Sequence, residues 1–173
     1  LNVERAASAP NDNLKSAGDE ALKSLGNQQD RNEIIERLRR LRPDGERRWG
    51  RMTPHQAVCH LSDSFRSATG EMHVEFAGTL LHRTLLKWFA LRVPLQWPTG
   101  VRTRPEVDQE KGGTRPVEFV RDVQDLEKLV ERFTRAGRDF RWNVHPLFGN
   151  MAEAEWLRWG YLHMDHHLRQ FGV

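Results

Sequence analysis

An all-α bundle is the fold class this sequence predicts, on three observations. Apolar residues recur at helical spacing in successive segments, no segment of strand-like alternation stands between them, and Pro, Gly and Thr punctuate the helical runs where helices start and stop.

The elements follow in order. Residues 1–29 are rich in Ala, Ser, Asn, Asp and Gly and read as a flexible, poorly ordered N-terminal arm, with Leu14, Leu22 and Leu25 as its apolar anchors. The folded domain is expected over residues 30–173. Its first helix begins near Asp30 or Asn32, buries Ile34, Leu38 and Leu41 on one face, and stops before Pro43. The second starts at Thr53, with Pro54 in the first helical position and Gln56 completing a capping box. Its stripe is Ala57, Val58, Leu61, Phe65 and Ala68, and Gly70 ends it.

A third helix is expected over residues 78–93. Leu80, Leu81, Leu85, Leu86, Trp88, Phe89 and Leu91 make it apolar nearly all round, so it should be deeply buried or lie against a partner, for example in a homodimer. Residues 94–116 carry four prolines and three glycines, and a stretch so long and broken suits a crossover between distant helices. A fourth helix is expected over residues 116–136, capped by Thr114 or Arg115, with Phe119, Val123, Leu126, Leu129, Val130 and Phe133 inward. The last opens with Asn150 as cap and Glu153 as its capping-box partner and runs to about Phe171.

With 173 residues the chain is expected to form one domain with a real core. Its 38% hydrophobic content is low, but eight Phe and six Trp supply large buried areas. The 27 basic and 24 acidic residues leave a net charge of only +3. The densest basic run, Arg37 to Arg48, is interrupted by Asp44 and Glu46 and reads as a solvated helix end rather than a phosphate patch, so nucleic acid is not an expected partner. No apolar run approaches the ~20 residues of a membrane span. The single cysteine, Cys59, excludes an intrachain disulfide. With no visible signal peptide, a cytoplasmic location is the expectation, for a chain that opens on Leu1.

Chemistry concentrates in the eight histidines. His163 and His167 are four apart on the last helix, so their imidazoles stack on one face and can converge on one ion. Gly160 lies one turn earlier and removes a side chain from beside them. His60, mid-way along the second helix and beside its apolar stripe, is the candidate third ligand. Three histidines leave an open coordination position, the catalytic rather than the structural arrangement. Asp63, one turn after His60, could orient its ring or pair with Arg66, and Gln170 could serve His167 or cap the helix end. His166 points away from the set. Cys59 reads as a small buried residue, and His55, His73, His82 and His145 as surface or turn residues.

The stretch Arg48-Trp49-Gly50-Arg51-Met52-Thr53-Pro54-His55-Gln56, followed by Cys59-His60-Leu61, resembles the second-helix signature of the DinB-like (DinB/YfiT) metalloenzyme superfamily. Thr103-Arg104-Pro105-Glu106-Val107-Asp108 with Gly112-Gly113-Thr114, His145-Pro146-Leu147-Phe148-Gly149, Glu155-Trp156, and residues 163–172 resemble one branch of it whose function is unassigned. The likeness covers residues 30–173 and implies a four-helix bundle with a long crossover loop. It further implies a divalent metal held by His60, His163 and His167, and three imidazoles suit Zn or Ni, with Fe or Cu as the alternatives. Characterised relatives include thiol-dependent transferases and a thiol-dependent isomerase, so the resemblance implies thiol-dependent transferase chemistry on a small molecule, while an open coordination position that activates water or a low-molecular-weight thiol also suits hydrolase chemistry. A non-catalytic, metal-braced binding or stress-response module is the alternative.

Overall fold

The computed structural model describes residues 22–173, so residues 1–21 of the loose arm expected over residues 1–29 lie outside the described residues. Five α-helices and no strand are found among the described residues, as the periodicity predicts. Helix α1 (Gln28–Arg39) starts earlier than expected, because Asn27 caps it by accepting from the backbone N–H groups of Gln29 and Asp30. Leu25, grouped with the arm by composition, is fully buried against the core. Its backbone N–H donates to the carbonyl of Leu157, which ties the chain down before α1 begins.

Helix α2 (Pro54–Ala68) has the predicted start, with both halves of the Thr53–Gln56 capping box formed. Helix α4 (Phe119–Thr134) begins later than expected, since Glu118 rather than Thr114 or Arg115 supplies the cap. Helix α5 (Glu153–Gln170) likewise begins after Ala152, not Asn150. Alanine offers no side-chain acceptor, so only the reciprocal half of a capping box exists, with Glu155 accepting from the Ala152 N–H at 2.9 Å.

Helix α3 (Lys87–Arg92) differs most from expectation. A π-helical turn, His82–Leu86, leads into it, and of its apolar residues only Leu91 is buried. Leu80 and Trp88 are 74% and 59% exposed, so the deep burial expected of this segment is not found. An apolar sequence is compatible with a core or with a surface, and periodicity does not distinguish them when every face is apolar.

The core lies where α2 packs on α4 and α5 while α1 packs on α5 and α4. Trp156, Phe65 and Phe133 are its largest fully buried side chains, and Phe65 meets Phe133 edge to face at 4.8 Å. Gly160 sits against this cluster rather than beside the histidines: a Cβ there would lie 2.7 Å from Leu25 Cδ1 and 3.3 Å from both phenyl rings. Its missing side chain serves helix packing. Three arginines of the basic run are held in ion pairs. Arg37 meets Asp165 at 2.8 Å, Arg39 grips Glu127 with two bonds, and Arg42 pairs with Asp44. No helix among the described residues is long and apolar enough to cross a membrane.

Candidate metal centre

The middle of α2 and the last two turns of α5 bring His60, His163 and His167 together, with one ring nitrogen of each within 4.8 Å of the others. The three ring centroids stand 4.9–5.1 Å apart. His60 and His167 are buried and His163 is half-buried.

Hydrogen bonds set the tautomers. His60 Nδ1 lies 2.7 Å from the carbonyl oxygen of Val107. A carbonyl only accepts, so Nδ1 carries the hydrogen and Nε2 presents a lone pair. Gln170 uses its Nε2 to donate to the Trp49 carbonyl, which turns its Oε1 toward His167 Nδ1 at 3.0 Å. His167 Nδ1 therefore donates, and its Nε2 is also left with a lone pair. Gly50 makes this reach possible. Its φ is +72°, and a Cβ there would lie 2.8 Å from Gln170 Nε2.

The third histidine completes the case. His163 Nε2 stands 3.1 Å from His60 Nε2, while its Nδ1 is buried without a partner. Two lone pairs at that distance repel, so the geometry requires a proton or a cation between them. Ligands on a tetrahedral ion with bonds of 2.0–2.1 Å are separated by about 3.3 Å, close to what is seen. The donor set therefore fits a divalent ion. Burial, reinforced for His163 and His167 by the neighbouring rings, holds all three imidazoles below their ordinary pKa and keeps them neutral, the form that ligates.

Asp63 does not touch the His60 ring. It is fully buried and accepts from Thr114 Oγ1 (2.6 Å), Thr114 N (2.8 Å), Gln109 Nε2 (3.1 Å) and Arg66 (3.2 Å). It anchors the crossover loop, and the loop, through the Pro105–Val107 turn, positions Val107 against His60. Sequence reading missed Val107 because its contribution is a backbone carbonyl, which no residue type announces. His166 packs edge-on to His167 with centroids 5.2 Å apart and is not one of the converging set.

Among the remaining histidines, His145 is buried in a turn, where its Nδ1 accepts from the N–H groups of Leu147 and Phe148. His82 meets the Thr79 hydroxyl, and exposed His73 meets Glu75. His55 is not a simple surface residue, since its Nε2 donates to Asp122 at 2.6 Å. Cys59 is buried as expected, and burial together with Asp122 pushes its thiol up to about 12, which favours the protonated thiol. Two surface cavities, of about 450 and 170 Å³, are lined by none of the three converging histidines.

No curated protein and no solved structure matches the chain. A family model described as protein of unknown function (DUF1569) matches residues 20–172, a span that takes in all three histidines, the loop that orients His60, and Gln170, and the chain belongs to that family.

Proposed function

We propose that this protein is a metal-dependent enzyme of the DinB-like type, a four-helix bundle in which His60, His163 and His167 hold one divalent ion, Zn or Ni in preference to Fe or Cu. The observation that carries the reading is the pair of fixed tautomers: Val107 and Gln170 each take the Nδ1 hydrogen, and the Nε2 lone pairs that remain turn toward His163. Three neutral ligands leave the full double charge of an ion uncompensated and a coordination position open, and such an ion supplies Lewis acidity that lowers the pKa of water or a small-molecule thiol.

The chain's own residues hold and exclude. Val107 and Gln170 lock the rings, Asp63 keeps the loop in place, and Trp97 and Trp159 pack on His163 with centroids at 6.0 and 5.0 Å and keep bulk water from that side. The burial of His60 and His167 favours a second reading in which the ion braces the helices and catalyses nothing.

Activity separates the two. Zn- and Ni-loaded protein would be assayed for thiol transfer to small electrophiles and for hydrolysis. The enzyme reading expects turnover that His163→Ala abolishes while circular dichroism stays helical. A melting temperature that rises strongly on metal loading, with no turnover in either screen, would overturn it in favour of the brace.

A further inference from the structure

A second group of ligating side chains lies across the α2–α4 interface. His55 and Cys59 are one turn apart on α2, and Asp122 projects from the first turn of α4. One ligand atom of each lies within 4.8 Å of the other two. A single oxygen, Asp122 Oδ2, receives His55 Nε2 at 2.6 Å, the Val117 N–H at 3.2 Å and the Cys59 thiol at 3.7 Å. We propose that His55, Cys59 and Asp122 form a second divalent-metal site, selective for zinc-like ions and independent of the three histidines.

Geometry and charge support it. A tetrahedral ion bonded to sulfur at about 2.3 Å and to oxygen at about 2.0 Å separates the two by about 3.5 Å, and the thiol and carboxylate already stand 3.7 Å apart. The His55–Asp122 pair is at hydrogen-bond distance and opens by about 0.7 Å on ligation. One thiolate, one carboxylate and one neutral imidazole cancel a double charge, so the loaded site is electrically neutral, which suits its half-buried position. A mixed sulfur, nitrogen and oxygen set favours Zn over Mg or Ca. The ion displaces the Cys59 thiol proton to solvent, and the His55 ring hydrogen moves from Nε2 to Nδ1, so one proton is released per ion bound. The helix start is stiff, because Pro54 and the Thr53–Gln56 capping box fix the turn that carries His55.

A cobalt(II)–thiolate band distinguishes this site from the three-histidine set, which contains no sulfur. Titrating metal-free full-length protein with Co(II) is expected to produce a thiolate-to-cobalt charge-transfer band in the near ultraviolet. That band should be lost in Cys59→Ser, need at least ten-fold more cobalt in His55→Ala, and survive in His163→Ala. His55→Ala retains the buried thiol, so its result does not depend on how Cys59→Ser folds. Absence of the band in the unmutated protein would overturn the proposal. So would a band that disappears in His163→Ala and persists in His55→Ala, which would place the sulfur on the three-histidine ion instead.

Discussion

His60 Nδ1 donates a 2.7 Å hydrogen bond to the carbonyl oxygen of Val107, so a loop residue decides which nitrogen of a helix residue faces the histidine cluster. The loop in turn hangs on Asp63, whose buried carboxylate collects four donors, three of them from Gln109 and Thr114.

Asp63→Ala leaves those loop donors without their acceptor. Stability is expected to fall by about 3 kcal/mol, measured by urea unfolding of metal-free protein. Metal affinity is expected to weaken by roughly 10–100-fold as Val107 loses its position. Unchanged affinity would separate the loop from the site.

Gln170→Ala removes the acceptor from His167 Nδ1 and frees the ring to turn. Zinc affinity by competition with a chromophoric chelator is expected to drop by roughly 10–100-fold. Gln170→Glu, which keeps an acceptor oxygen for His167 but loses the donor to the Trp49 carbonyl, is expected to recover part of it. Equal losses in both variants would contradict an orienting role.

Acid should destabilise the protein in a defined window. Burial holds His145 down to about 3 and lowers His60, His163 and His167 as well, whereas unfolded imidazoles titrate near their ordinary 6.5. Between those values the unfolded chain binds more protons than the folded one, so stability is fully present above about pH 6.5 and is lost as pH falls toward 3. His145 alone contributes roughly 2–3 kcal/mol of that loss by about pH 4.5. Urea midpoints of metal-free protein at about pH 7.5 and pH 4.5 measure it, and a flat profile would contradict neutral burial of these rings.

Helix existence was legible because Ile34 and Leu38, or Leu126, Val130 and Phe133, recur at a period only a helix satisfies, and their burial follows. The convergence of His60 with His163 and His167 was legible for the same reason, since each flanks an apolar stripe and the stripes meet in one core. Helix ends were less so. Asn27 caps α1 ahead of the expected start near Asp30 or Asn32, and Glu118 and Ala152, not Thr114 and Asn150, take the cap positions of α4 and α5, because capping depends on where the incoming chain turns. The exposure of Trp88 and Leu80 and the role of Val107 depend on tertiary contacts that no local pattern encodes. The group of His55, Cys59 and Asp122 was not legible, since His55 read as a surface or turn residue and Asp122 comes from another helix, 63 residues on from Cys59.

Gly160→Ala sets two effects against each other. The helix gains about 1 kcal/mol from replacing glycine, while a Cβ pressed against Leu25, Phe65 and Phe133 costs about 2 kcal/mol. A net loss of about 1 kcal/mol is expected in urea unfolding. Net stabilisation would mean that Leu25 yields freely.

Elemental analysis by mass spectrometry addresses the three-histidine centre itself. In a Cys59→Ser background, which removes the sulfur ligand, protein incubated with Zn or Ni and then desalted is expected to retain about one ion per chain. The same protein carrying His60→Ala or His163→Ala is expected to retain none. A metal-free result in the Cys59→Ser protein, or an ion retained after both histidine substitutions, would contradict a centre built from His60, His163 and His167.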